Sequence, residues 1–193
     1  MAHVLYTSIP NPIDPTLAIV RDHAATEQAL ADSALPGWTV LRNNWYFENL
    51  DWTIPGLLQS GQWGTANGEG RMAYIGRDDL ALAAASALAS DAGGKHTYTL
   101  GGATAYTTAE LAGLIGQTFG KTITTASVSA EDIERGLTGH GVPEFQARLA
   151  ASAQVMNARG ALADVTGDFR TLTGREPKSL EDWLAANQAR FTA

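Results

Sequence analysis

Two short stretches of this chain place polar side chains where they could do chemistry. The first is His23-Ala-Ala-Thr-Glu27, in which an imidazole and a carboxylate stand four residues apart and so share one face of a helix. An imidazole titrates near neutrality and can donate a hydrogen bond or a proton, and a neighbouring carboxylate can orient it. The same spacing also describes an intrahelical polar pair that satisfies itself, and spacing alone leaves both readings open. The second stretch is Asn43-Asn44-Trp45-Tyr46. Adjacent amides at a strand end can hydrogen-bond a carboxamide or a carbonyl oxygen, and Trp45, Tyr46 and Phe47 offer flat surfaces to an aromatic ring. The competing reading is a capping turn whose aromatics enter the core. Arg42, just before, is expected to make a structural ion pair with Glu48 or Asp79.

Other candidates carry less. His3, His96 and His140 are far apart and show no ligand-like spacing, so metal binding is unsupported. Trp52, Trp63 and Trp183 read as core or lid packing. The acid pairs Asp78-Asp79 and Glu131-Asp132 sit at expected helix starts, where the macrodipole already explains them. "NGEG" at 67–70 has no preceding strand of the right kind and no helix after it, so its glycines are expected to serve a turn.

Composition narrows the classes. The chain has 193 residues, a net charge of −7 and 45% hydrophobic residues, enough apolar content for a real core. Its thirteen Lys and Arg form no basic run, which argues against nucleic acid and anionic membranes as partners. There is no cysteine, so disulfides, thiolate metal sites and cysteine nucleophiles are excluded, in keeping with a reducing cytoplasm. No apolar run reaches the ~18 residues of a membrane span, and no signal-peptide pattern opens the chain.

The elements that must position these residues follow from patterning. His3–Thr7 reads as a buried strand, and Pro10, Pro12 and Pro15 make the following loop rigid. Residues 17–33 form an amphipathic helix, and 38–45 a second buried strand. Strand, helix, strand is the parallel crossover unit. Residues 47–59 are expected to be a short helix interrupted around Pro55, and Met72–Ile75 a hairpin or bulged strand. Asp78 or Asp79 would cap a helix over "LALAAASALAS". "KHTYTLGG" and "KTITTASVS" are further strands. Thr107 with Glu110 forms a capping box opening a helix to Phe119, and Ser129 caps another. Residues 143–165 are expected to be helical, and Ser179 caps the last helix. A lone crossover could not cover both faces of its sheet, so something upstream is expected to be missing.

"HVLYTS", "DHAATEQALADS", "WTVLRNNWYFEN", "RDDLALAAASAL" and "YTLGG-x-x-x-YTTAELAGLIGQTFGK" occur in that order. Together they resemble the C-terminal two thirds of the NmrA-like proteins, atypical short-chain dehydrogenase/reductases, in their NAD(P)H:quinone oxidoreductase and triphenylmethane reductase branch. The resemblance implies an α/β fold: the C-terminal part of a Rossmann-type doubly wound parallel sheet plus a small mixed α+β substrate-binding region. Residues 1–60 would be the remnant of the nucleotide-binding domain, and 61–193 the smaller substrate-binding region interleaved with it. "HVLYTS" would be the fifth strand of that sheet, with the glycine-fingerprint half absent. A start codon assigned inside the gene, at Met1, would produce this N-terminus, as would a split gene.

The resemblance also assigns roles. NADPH or NADH is the implied cofactor and a flat, quinone-like small molecule the implied acceptor. Ligands in such sheets lie beyond the carboxyl ends of the strands, which assigns Thr7, Ser8, Asn43 and Asn44 to the cofactor and Asn11, Trp45, Tyr46 and Asn49 to the acceptor. The family's Tyr-x-x-x-Lys pair is replaced by His23 and Glu27, which become the catalytic candidates. The resulting expectation is hydride transfer from NAD(P)H, if a missing N-terminal half or a homodimer completes the site. A non-catalytic dinucleotide sensor and an inactive fragment are the alternatives.

Overall fold

The computed structural model describes residues 3–14, 17–90 and 93–192. Met1 and Pro15, which the sequence reading used, lie outside these. Strand β1 (Val4–Ser8), helix α1 (Ala18–Asp32) and strand β2 (Trp38–Asn43) open the chain as expected. β1 and β2 pair in parallel with Ser8 opposite Arg42. A 3-10 turn (Phe47–Trp52) leads into α2 (Ile54–Ser60), then β3 (Gln62–Thr65), β4 (Arg71–Met72) and α3 (Arg77–Ala89). Strand β5 (Lys95–Leu100) returns to pair in parallel with β2, giving a three-stranded sheet in the order β1-β2-β5. The sheet therefore draws its third strand from beyond residue 60.

Pleat alternation explains how the sheet is covered. Leu5, Leu41, Tyr98 and Leu100 share one face and pack with Leu80 and Ala83 of α3 and Phe169 of α7 (Asp168–Thr173). Val4, Tyr6, Ser8, Val40 and Arg42 occupy the other face, under α1. The outer edge of β5 is closed by a loop: Thr99 donates its N–H to Asp168 Oδ2, and Thr166 donates its hydroxyl to the Thr99 carbonyl. Among the described residues no strand pairs with the outer edge of β1.

The remaining elements build a second apolar cluster beside the strand ends. They are β6 (Tyr106–Thr107), α4 (Thr108–Phe119), β7 (Thr124–Ser127), α5 (Ala130–Gly139), α6 (Glu144–Ala158) and α8 (Leu180–Asn187). Phe47, Leu50, Ile54, Leu111, Ile115, Met156, Leu180 and Leu184 meet there. The capping boxes at Thr107/Glu110 and Ser129/Asp132 are formed, and Ser179 caps α8 through the Asp182 N–H.

Several local expectations change. Pro55 starts α2 rather than interrupting a helix, because a proline in the first turn forgoes no hydrogen bond; the break falls at Thr53. Residues 72–75 make no hairpin: β4 pairs antiparallel with β6, and Ile75 bridges to Tyr46. "KTITTASVS" does become a strand, but it pairs with β3 and stays outside the main sheet. Gly76 occupies the N-cap of α3, and Asp79 is fully buried there, accepting from Arg175 (3.0 Å) and from the Lys178 N–H (2.7 Å). Helix α6 ends at Ala158, where Gly160 turns the chain with φ +78°. Trp52 stands 83% exposed, whereas Trp183 packs against Phe47 at 5.8 Å.

Candidate functional site

The parallel register sets the site. Ser8 lies opposite Arg42, so Ser8 and Asn43 stand at the carboxyl ends of neighbouring strands, where open α/β sheets bind ligands. Ser8 is buried, yet among the described residues its Oγ has no hydrogen-bond partner, and neither has the buried Oδ1 of Asn43. A buried polar atom left unpaired costs about 1–3 kcal/mol, and two of them stand at adjoining strand ends. Unpaired buried atoms also occur on Trp38, Asp51, Asn67 and Asn157, away from these strand ends.

Asn43 also lines a small apolar crevice. Ile9, Pro10, Ile19, Asn43, Trp45, Ala153, Met156 and Leu162 line a volume of about 10 Å³, room for about one water. Two loops close over it. Asn11, with φ +45°, donates from Nδ2 to the Ala161 carbonyl (2.9 Å) and to Asp164 Oδ2 (3.0 Å), and Asp14 pairs with Arg159. Asn is one of the residues that tolerates this left-handed backbone.

The candidate residues divide accordingly. Asn43 and Trp45 line the crevice. Asn44 is turned inward: its Nδ2 donates to the Leu162 carbonyl (2.9 Å), its Oδ1 accepts the Trp45 N–H (2.7 Å), and its own N–H donates to the Leu100 carbonyl (2.8 Å). It ties three segments together, with both its side-chain nitrogen and its side-chain oxygen engaged. Asn11 serves as a loop latch. Tyr46 carries the Arg77 guanidinium 5.2 Å from its ring centroid, and Asn49 lies in the 3-10 turn with its N–H on the Tyr46 carbonyl. Thr7 is exposed.

On α1, His23 and Glu27 face the sheet but meet different partners. The Tyr6 hydroxyl lies 2.8 Å from His23 Nδ1. Both oxygens of Glu27 accept from Arg42, at 3.1 and 2.6 Å, a bidentate and largely shielded pair. The partner of Arg42 is thus Glu27; Glu48 instead accepts the N–H of Arg77, and Asp79 binds Arg175. Burial pushes the His23 imidazole below its ordinary pKa, and the nearby charges of Glu27 and Asp22 pull the other way. Burial holds the Tyr74 hydroxyl well above the usual phenol range. Among the described residues no group of three or more His, Cys, Asp or Glu side chains could hold a metal ion, and no helix is long and apolar enough to cross a membrane.

Sequence reasoning missed Tyr6: alternation puts it on the same face as Ser8, but that this face meets α1 is shown only by the fold. It also missed the crevice walls Ala153, Met156 and Leu162, which lie more than a hundred residues from β2 and which no motif announces.

No protein-family model matches the chain. It is 31% identical over 179 residues to quinone oxidoreductase 2 of Escherichia coli, covering 93% of this chain and 62% of that protein. The crystal structure of an NADPH-dependent quinone oxidoreductase from Escherichia coli superposes with a TM-score of 0.89 at 30% identity, covering 100% of this chain and 68% of the other. Citrobacter sp. triphenylmethane reductase, solved with NADP(H), gives a TM-score of 0.79 at 29% identity over 98% and 65%. The chain spans 62% and 59% of the lengths of two curated relatives. With its sheet order, strand-end site and this likeness over its whole length, the chain belongs to the NmrA-like, atypical short-chain dehydrogenase/reductase family.

Proposed function

We propose that the protein works in NAD(P)H-dependent reduction of quinones or similarly flat acceptors, and that these residues form the nicotinamide end of the site and the wall beside it. The observation that carries this reading is the pair of buried atoms without a partner among the described residues, Ser8 Oγ and Asn43 Oδ1, at adjoining strand ends, with Asn43 on the apolar crevice wall. They fit the amide end of a nicotinamide: a hydroxyl can donate to its carbonyl, and an amide oxygen can accept from its NH₂. Two relatives, the Escherichia coli quinone oxidoreductase and the Citrobacter reductase, have been solved with NADPH and NADP(H). When bound, the reduced nicotinamide supplies the hydride.

The protein's share is positional. Ser8 and Asn43 hold the amide, Ile9, Pro10 and Trp45 present an apolar wall that excludes water, and Asn44 fixes the loop that carries Trp45. The crevice as it stands does not hold an aromatic ring, so the Asn11–Asp164 and Asp14–Arg159 latches open to admit one. The sequence contains no G-x-G-x-x-G, and we place the pyrophosphate grip on polypeptide beside the open edge of β1, either another segment or a second copy.

The second reading, a dinucleotide sensor with little turnover, is favoured by one feature: α1 carries no Tyr-x-x-x-Lys pair. NADPH consumption against a panel of quinones, by the protein isolated from its host in whatever assembly it forms, separates the two. Quinone-dependent turnover supports the reductase. Binding of NADPH with no turnover supports the sensor.

A further inference from the structure

Side chains two apart on a strand share a face, and those four apart on a helix lie one turn from each other. Tyr6 therefore stands directly below Ser8, and His23 one turn below Ile19, which lines the crevice. The two meet there, Tyr6 hydroxyl to His23 Nδ1 at 2.8 Å, with ring centroids 5.9 Å apart. Each is the other's side-chain hydrogen-bond partner among the described residues. The roles in that bond follow the tautomer: with the hydroxyl donating, Nδ1 accepts and the imidazole carries its own hydrogen on Nε2. That nitrogen has no partner among the described residues. The carboxylate nearest on α1, Glu27, is held on both oxygens by Arg42, and Asp22 is exposed, so neither replaces Tyr6 at Nδ1.

We propose that Tyr6 is a positioning residue of the site: it fixes His23 as an Nε2–H donor and passes a proton through it to the oxygen of the reduced acceptor. This rests on the reductase reading above. Reducing a quinone takes one hydride and one proton. The nicotinamide gives the hydride with its two electrons and is oxidised, and the quinone becomes a hydroquinone monoanion. His23 Nε2 gives its proton to that oxyanion while Nδ1 takes the proton of the Tyr6 hydroxyl; water then protonates Nε2 as Nδ1 returns its proton to the Tyr6 phenolate, which restores both groups. The lowered pKa of His23 agrees with a ring kept neutral at physiological pH.

The test has two arms. ¹⁵N NMR of the histidines reads the tautomer directly. The wild type is expected to show His23 as the Nε2–H form, and Tyr6→Phe to show a mixture. An Nδ1–H form in the wild type overturns the proposal. The kinetic arm compares quinone reduction by wild type and Tyr6→Phe: kcat falls about a hundredfold, the low end of general acid catalysis, and KM for NADPH changes less than about twofold. An unchanged kcat overturns the role of Tyr6 while leaving the reductase reading intact. A wild type inactive toward every quinone overturns the reductase reading, and the relay with it, whatever the tautomer. Should Tyr6→Phe fail to fold, His23→Gln answers the same question: its amide keeps an N–H donor but cannot relay, so KM for NADPH holds and kcat falls.

Discussion

Ser8→Ala separates a ligand-holding hydroxyl from a structural one. The Ser8 hydroxyl is buried and has no partner among the described residues, so its removal relieves a desolvation penalty of about 1–2 kcal/mol. The lost oxygen leaves a void of about 15 Å³, which costs about 0.4 kcal/mol. The variant should thus be more stable by about 1 kcal/mol, a rise in Tm of about 2–4 °C for a chain of this length. The same change deletes one hydrogen bond to the bound nicotinamide, worth about 1 kcal/mol, so affinity for NADPH falls about fivefold. Urea denaturation reads the first quantity and a fluorescence titration the second. A Ser8→Ala protein destabilised by about 1 kcal/mol or more would mean that the hydroxyl has a partner in the free protein. Unchanged NADPH affinity would remove Ser8 from the site. Either result refutes the reasoning.

Other outcomes are equally specific. Arg42→Met should destabilise by about 2–3 kcal/mol, because it leaves the shielded Glu27 carboxylate unpaired, whereas Arg42→Met with Glu27→Gln should recover most of that in a double-mutant cycle. Independent, additive losses would show that the pair contributes nothing. The His23 pKa is lowered in the folded state, so the unfolded chain binds more protons as pH drops; stability is full above about 6.5 and declines below it until the lowered pKa is passed. Urea midpoints across that range should show this decline, and His23→Gln should lose it. Gly102→Ala would place a Cβ 2.2 Å from the Tyr74 carbonyl and should destabilise strongly. Gly113→Ala, inside α4 with nothing within 4 Å, should stabilise by about 0.5–1 kcal/mol; thermal melts of the two variants check the contrast.

What the sequence made legible was local. Alternation and unbroken apolar runs gave β1 and β2, and Thr107/Glu110 and Ser129 marked helix starts because a cap is a contact over three residues. Pairing over distance was not legible. Nothing near Met72 announces that its partner is Tyr106, and nothing near β3 announces β7. The short α7 escaped notice because six residues are too few to show helical periodicity. At the site, strand ends could be named from the parallel crossover, which brought Ser8, Asn43 and Trp45 forward. Asn44 and Asn11 could not be told from them, since an amide that binds a ligand and one that ties down a loop have the same composition. Tyr6 needed the register of α1 against β1, which only the fold supplies.

The central claim is that Ser8 and Asn43 hold the nicotinamide end of a reductive site. Its most direct test is NADPH oxidation with a quinone panel by the host-isolated protein, comparing wild type with a Ser8→Ala/Asn43→Ala double variant. The account predicts quinone-dependent turnover in the wild type, and in the double variant a loss of about tenfold or more in kcat/KM with the fold retained. A wild type that consumes no NADPH with any quinone, or a double variant that keeps full activity, would contradict it.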